Sequence, residues 1–139
     1  MIPPFDHNGN LPPGIYRTTI KELAKHFAYN PRRSHLFSGL LKILSLLRQC
    51  GCKQVYLNGS FITNEKFPND YDLCWEPEGI LPTSELKMFL RDKAGRKEKY
   101  LGDIFMRLPE PPFYFDYVTE WQKDRDGNAK GLIKIILEK

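Results

Sequence analysis

Residues 31–49 place Leu36, Phe37, Leu40, Leu41, Ile43, Leu44 and Leu47 on one broad face, at the spacing of an amphipathic helix. Pro31 suits the first turn of such a helix, and Gly51 stops it. An apolar stripe this long has to be covered, so the rest of the chain must supply a second layer. With 139 residues the chain is large enough: a domain of this size buries roughly two-thirds of its unfolded surface. Nine Phe, seven Tyr and two Trp provide bulk for that core and exclude global disorder.

The covering layer is expected to be a sheet. Residues 53–57 and 71–75 read as short strands, 103–107 and 113–118 as two more, and 131–137 as the clearest strand of the chain. Helices are expected from a Thr18 or Thr19 cap to about Phe27, over 31–49, and from Pro82 to about Lys93. Residues 1–17 hold Pro3, Pro4, Pro12 and Pro13 with Gly9 and Gly14, which disfavours both helix and central strand. Ile2, Phe5, Leu11, Ile15 and Tyr16 make that stretch an extended arm packed on the body. The expectation is an α+β fold, a mixed sheet with helices packed on it. Its organisation is one domain over residues 1–139: arm 1–17, helical pair 18–49, and sheet-bearing core 53–137.

Charge narrows the partners only mildly. Twenty-one basic against seventeen acidic side chains leave +4, which favours polyanionic ligands without requiring nucleic acid. Cys50, Cys52 and Cys74 cannot form a fully paired disulfide set, and a reduced, cytoplasmic setting is expected. No apolar run is long enough for a membrane span, and no secretion signal is expected at the N-terminus.

The chemically informative stretch runs from Leu57-Asn58-Gly59-Ser60, across nine residues, to Asp70-Tyr71-Asp72-Leu73. Residues two apart in a strand share a face, so Asp70 and Asp72 aim two carboxylates at one point. Bare carboxylates that close repel and raise each other's pKa unless a cation neutralises them. Hard divalent ions take such oxygens and bring phosphate with them. Gly59 leaves room for a phosphate, which backbone N–H groups and the Ser60 hydroxyl can bind.

These residues resemble the nucleotidyltransferase superfamily. Its pattern is an apolar strand, Gly followed by Gly or Ser, a gap, then Asp, an apolar residue, and Asp or Glu. The likeness covers roughly residues 53–118, and its nearest functional counterparts in size are the minimal nucleotidyltransferases, some of them antitoxins. The chain also resembles an uncharacterised family of small bacterial and phage proteins through IPPFDHNGNLPPG at 2–14, YLNGSF at 56–61, DYDLCW at 70–75 and DRDGNAKGLIKI at 124–135. The first resemblance implies Mg²⁺ or Mn²⁺ bound by Asp70, Asp72 and a third carboxylate, with a nucleoside triphosphate as substrate. It implies phosphate binding at Gly59 and Ser60, and an acceptor hydroxyl on a protein or RNA, in a toxin–antitoxin or defence pair. For the third carboxylate Asp116 is preferred, because the apolar stretch 113–118 would rarely carry an idle charge. Asp103, closer in sequence to the aspartate pair, is the alternative.

Other signals compete. The segment 19–34 has the outline of a helix-turn-helix, with Arg32 and Arg33 available to phosphates, but the following helix is long and apolar for a recognition helix. DNA reading therefore ranks below a core-packing helical pair. Lys87, Arg91, Lys93, Arg96, Lys97 and Lys99 form either a solvated face, with Glu85, Asp92 and Glu98 as counter-charges, or a cationic rim for triphosphate or RNA. The alternative to a transferase is a catalytically weak module of the same fold that binds a protein partner.

Overall fold

The computed structural model describes residues 2–108 and 115–137. Its elements in chain order are β1 (Gly14–Thr18), α1 (Ile20–Phe27), α2 (Pro31–Gln49) and β2 (Gln54–Asn58), then a 3₁₀ turn (Ser60–Ile62) and β3 (Tyr71–Trp75). There follow α3 (Ser84–Arg91), α4 (Lys93–Tyr100), β4 (Gly102–Met106), α5 (Tyr117–Glu120) and β5 (Gly131–Ile136). The fold is α+β. Its five strands form one mixed sheet in the order β1-β5-β2-β3-β4. The β2–β3 and β2–β5 pairs are antiparallel, whereas β1–β5 and β3–β4 are parallel.

The helix starts follow their caps. Thr19 accepts the Glu22 N–H, and Asn30 accepts the Arg33 N–H ahead of Pro31. The α2 stripe then packs where the sequence directs it: Leu36, Leu40, Ile43, Leu44 and Leu47 are buried with Val55, Leu57, Leu73, Trp75, Ile133 and Ile135 of the sheet. All three cysteines are buried and unpaired, as small apolar side chains would be.

Strand alternation sends the other side chains of β2, β3, β4 and β5 to the opposite face. There Tyr56, Cys74 and Leu132 meet Val118 of α5, with Tyr117 and Trp121 beside them. The helical layer on the first face is thus long, and among the described residues the cover on the second is one short helix. This asymmetry leaves one end of the second face to polar side chains.

Three expectations need adjustment. The arm ends in β1, which pairs with β5 through Gly14–Thr18 and so extends the sheet. The charged stretch after Asp92 forms a second helix, α4, which Asp92 caps by accepting the Gly95 N–H. The strand expected over 113–118 lies partly outside the described residues; its described end starts α5 at Tyr117. Aromatic packing explains the helical turn, since the Tyr117 ring stacks on Phe105 at 4.6 Å between centroids and both lie against Trp121.

Gly39 fixes how closely α2 meets the end of α4. A Cβ there would fall well inside contact distance of the Tyr100 carbonyl oxygen, a backbone atom with little freedom to yield. Tyr71 donates to that same carbonyl at 2.7 Å, so α2, β3 and α4 meet at one point. Gly39→Ala is expected to destabilise the fold by about 1–3 kcal/mol in a denaturant titration, the usual range for overpacking. An unchanged unfolding midpoint would refute this close approach.

Candidate functional site

The site is built from strand register. Asn58, Asp72 and Asp103 are consecutive partners across β2, β3 and β4, so they form a row on the second face. Asp70 lies two residues before Asp72 and adds its carboxylate to the same end. Asp70, Asp72 and Asp103 each offer an oxygen, and these oxygens lie within 4.8 Å of one another.

Gly59 sits directly against this group. It has φ of +91°, and a Cβ would stand 3.0 Å from an Asp72 carboxylate oxygen. Backbone conformation and space both demand glycine here. The 3₁₀ turn then opens at Ser60, and the first N–H groups of such a turn have no partner within it. Gly59, Ser60, Asp70 and Asp72 all line a cleft of about 820 Å³. Its far wall comes from the connection before β5 and carries Lys123, Arg125 and Lys130.

The electrostatics follow from burial and crowding. Burial, with the Asp70 and Asp103 charges added to it, pushes the Asp72 carboxyl up to about 6. No described residue donates a hydrogen bond to that carboxylate. Asp70 and Asp103 share a different neighbour. The Lys97 ammonium of α4 stands 2.9 Å from Asp70 and 3.1 Å from Asp103, and those hydrogen bonds hold its pKa above the ordinary lysine value. Lys97, read in the sequence as part of a solvated face or cationic rim, is thus placed at the carboxylates. Nothing in its local sequence marks it among the neighbouring lysines and arginines.

The structure brings Asp103, and not Asp116, beside the aspartate pair. Asp116 caps α5: it accepts the Val118 N–H and the Thr119 hydroxyl, and forms a two-pronged pair with Arg107 at 3.0 and 3.1 Å. Burial alone would raise its carboxyl, but the Arg107 guanidinium and Thr119 outweigh that and hold it low. Arg107 also bonds Glu76 at 2.6 Å. The charge in this apolar stretch is therefore occupied, in an ion-pair network at the other end of the face.

Arg32 and Arg33, which a helix-turn-helix would turn toward phosphates, are engaged by the protein itself. Arg33 is fully buried, and its guanidinium donates to the carbonyls of Phe27, Phe61, Thr63 and Glu65. Arg32 donates to the carbonyls of Pro68 and Asn69. Together they tie the start of α2 to the loop between Gly59 and Asp70, which forms one wall of the cleft.

Residues 3–136 match the family DUF6932, described as a family of unknown function. The chain belongs to the DUF6932 family. No curated protein and no solved structure matches this DUF6932 member. Among its described residues, no helix is long and apolar enough to cross a membrane.

Proposed function

We propose that this DUF6932 protein is a divalent-metal-dependent nucleotidyltransferase, moving a nucleoside monophosphate from a triphosphate to a hydroxyl of a protein or RNA. The observation that carries the reading is Asp72: a half-buried carboxylate crowded by two others, without a hydrogen-bond donor from any described residue. Such a group is stabilised by a cation more than by water. The donor set fits a hard ion, since all three side chains offer oxygen and nothing softer. Lys97 supports the fit, because a cation already bridges Asp70 and Asp103 in this structure.

When bound, Mg²⁺ or Mn²⁺ supplies Lewis-acid polarisation of phosphate oxygens and lowers the pKa of a nearby hydroxyl. Asp70, Asp72 and Asp103 would hold it; Asp103 thereby takes the role that sequence alone favours for Asp116. Gly59 and Ser60 present backbone N–H groups and a hydroxyl to the phosphates, and Gly59 allows them close to Asp72. Lys97 is exposed along much of its length and can swing clear of the carboxylates. In this reading the chain contributes positioning and charge and no covalent nucleophile.

Lys97 also favours a second reading, a module of this fold that works by binding a protein partner. An ammonium resting on Asp70 and Asp103 is what a member without metal would need. Metal binding separates the two.

Mn²⁺ titration followed by electron paramagnetic resonance is expected to show saturable binding that Asp72→Asn removes. Proton and ion compete for Asp72, whose folded pKa is about 6. Affinity should therefore be high near pH 7.5 and fall by about tenfold or more near pH 5. The stability sign follows from the same shift. Without ion, the unfolded carboxyl loses its proton near 3.8 and the folded one near 6, so the fold loses stability as pH rises through that window. Asp72→Asn should accordingly raise the melting temperature near pH 7.5 in metal-free buffer. If the wild type binds no Mn²⁺ at millimolar concentration, the transferase reading fails and the partner-binding module takes its place.

A further inference from the structure

Lys130 is unusual among the described lysines. Only 9% of it is exposed, yet its side chain lines the 820 Å³ cleft. Its ammonium donates one hydrogen bond, to the Asn58 side-chain oxygen, and it forms no ion pair among the described residues. Asn58 is the strand partner of Asp72 and immediately precedes Gly59. The ammonium is therefore held in the cleft that Gly59 and Ser60 also line, with donors to spare.

The carboxylates around it do not meet its need. Asp72 attracts it electrostatically without bonding it. Asp124 is taken up by its own turn, where it accepts the backbone N–H groups of Asp126 and Asn128 and the side-chain amides of Asn10 and Asn128. Desolvation lowers the Lys130 pKa, so the charged form is held at a cost that no direct ion pair offsets. Among the described residues Asp72 has no directly bonded cation and Lys130 no directly bonded anion, in one cleft. Arg125 and Lys123 stand exposed on the same wall.

We propose that Lys130, with Arg125 at the rim, forms an anion site for the polyphosphate tail of the substrate, so that the cleft selects tri- over monophosphates. This rests on the nucleotidyltransferase reading for its substrate class, and its geometry is independent of the metal. A phosphate chain running from Gly59 toward Arg125 gives Lys130 the partner it lacks, while a single phosphate at Gly59 leaves the rim unused. The 124–135 segment, singled out in the sequence without a role, thereby supplies the basic wall.

Calorimetry with inorganic tripolyphosphate and, separately, inorganic phosphate in millimolar Mg²⁺ tests the site, with Mn²⁺ binding measured alone in parallel. Wild-type protein is expected to bind tripolyphosphate about tenfold or more tighter than phosphate. Lys130→Met should lose about tenfold for tripolyphosphate and keep its Mn²⁺ affinity within about threefold. Should Lys130→Met fail to fold, Arg125→Gln at the exposed rim carries the test, with an expected loss of about threefold and a shallower salt dependence. Unchanged tripolyphosphate affinity in the folded variant, or none in the wild type, overturns the anion site. Mn²⁺ binding that depends on Asp72 would then leave the transferase reading standing. Lys130-dependent tripolyphosphate binding without Mn²⁺ binding does the opposite: the anion site stands and the metal reading falls.

Discussion

Asp103→Asn is expected to lower label transfer from an α-labelled nucleotide by on the order of a hundredfold or more, and Asp116→Asn to leave it within about threefold. Each change keeps side-chain size and removes one negative charge. At Asp103 that charge belongs to the three-carboxylate group, 3.1 Å from the Lys97 ammonium. At Asp116 it belongs to Arg107 and to the α5 cap, so its loss should appear as stability, about 1–3 kcal/mol in a denaturant titration. Asp70→Asn and Asp72→Asn should behave as Asp103→Asn does, and Ser60→Ala should only weaken nucleotide binding because the turn's N–H groups remain. Transfer that survives Asp103→Asn and dies with Asp116→Asn would invert the assignment.

The largest stability effect is expected at Arg33. Arg33→Met should cost about 3–5 kcal/mol, read from the midpoint and slope of a urea titration. The methionine fills much of the volume, so the loss comes from stranding the carbonyls of Phe27, Phe61, Thr63 and Glu65, which the guanidinium now satisfies in a buried place. Arg33→Lys should recover little, since one ammonium cannot reproduce a planar fork aimed at both branches. Arg32→Ala, on a partly exposed side chain, should cost under about 1 kcal/mol. A stable Arg33→Met protein would mean that water replaces the guanidinium in the folded state.

Much of this site was legible because short-range rules govern it. Asp70 and Asp72 share a face by strand periodicity alone, and Gly59 between a strand and a hydroxyl residue signals a turn that needs an absent Cβ. The choice of Asp103 over Asp116 as the neighbour of the pair was not legible, for a physical reason. Asp103 joins the pair through the β3–β4 register, set by a crossover through α3 and α4 that no local pattern encodes. The apolar run around Asp116 invites a strand, yet Tyr117 finds a better place stacked on Phe105. Arg33 misleads similarly. In the helix-turn-helix outline it is available to phosphates, and only the fold reveals the carbonyls wrapped around it. Lys97 and Lys130 differ from their basic neighbours solely in where the chain folds them.

The strand order places β4 last in the sheet, with β3 as its paired neighbour. Asp103 therefore rides on a margin of the structure, while Asn58 and Asp72 ride on its interior strands. Margins open more readily than interiors, by local fluctuation that leaves the rest of a fold intact. Peeling β4 away would dissolve the carboxylate group without melting the core that α2 covers. Any cation joining Asp103 to the carboxylates at the start of β3, whether the Lys97 ammonium on Asp70 or a metal, acts across that seam and makes peeling harder. The state of the cleft and the fraying of this margin are consequently one equilibrium: ligand occupancy is a clamp on the sheet, and the sheet's breathing is a throttle on occupancy.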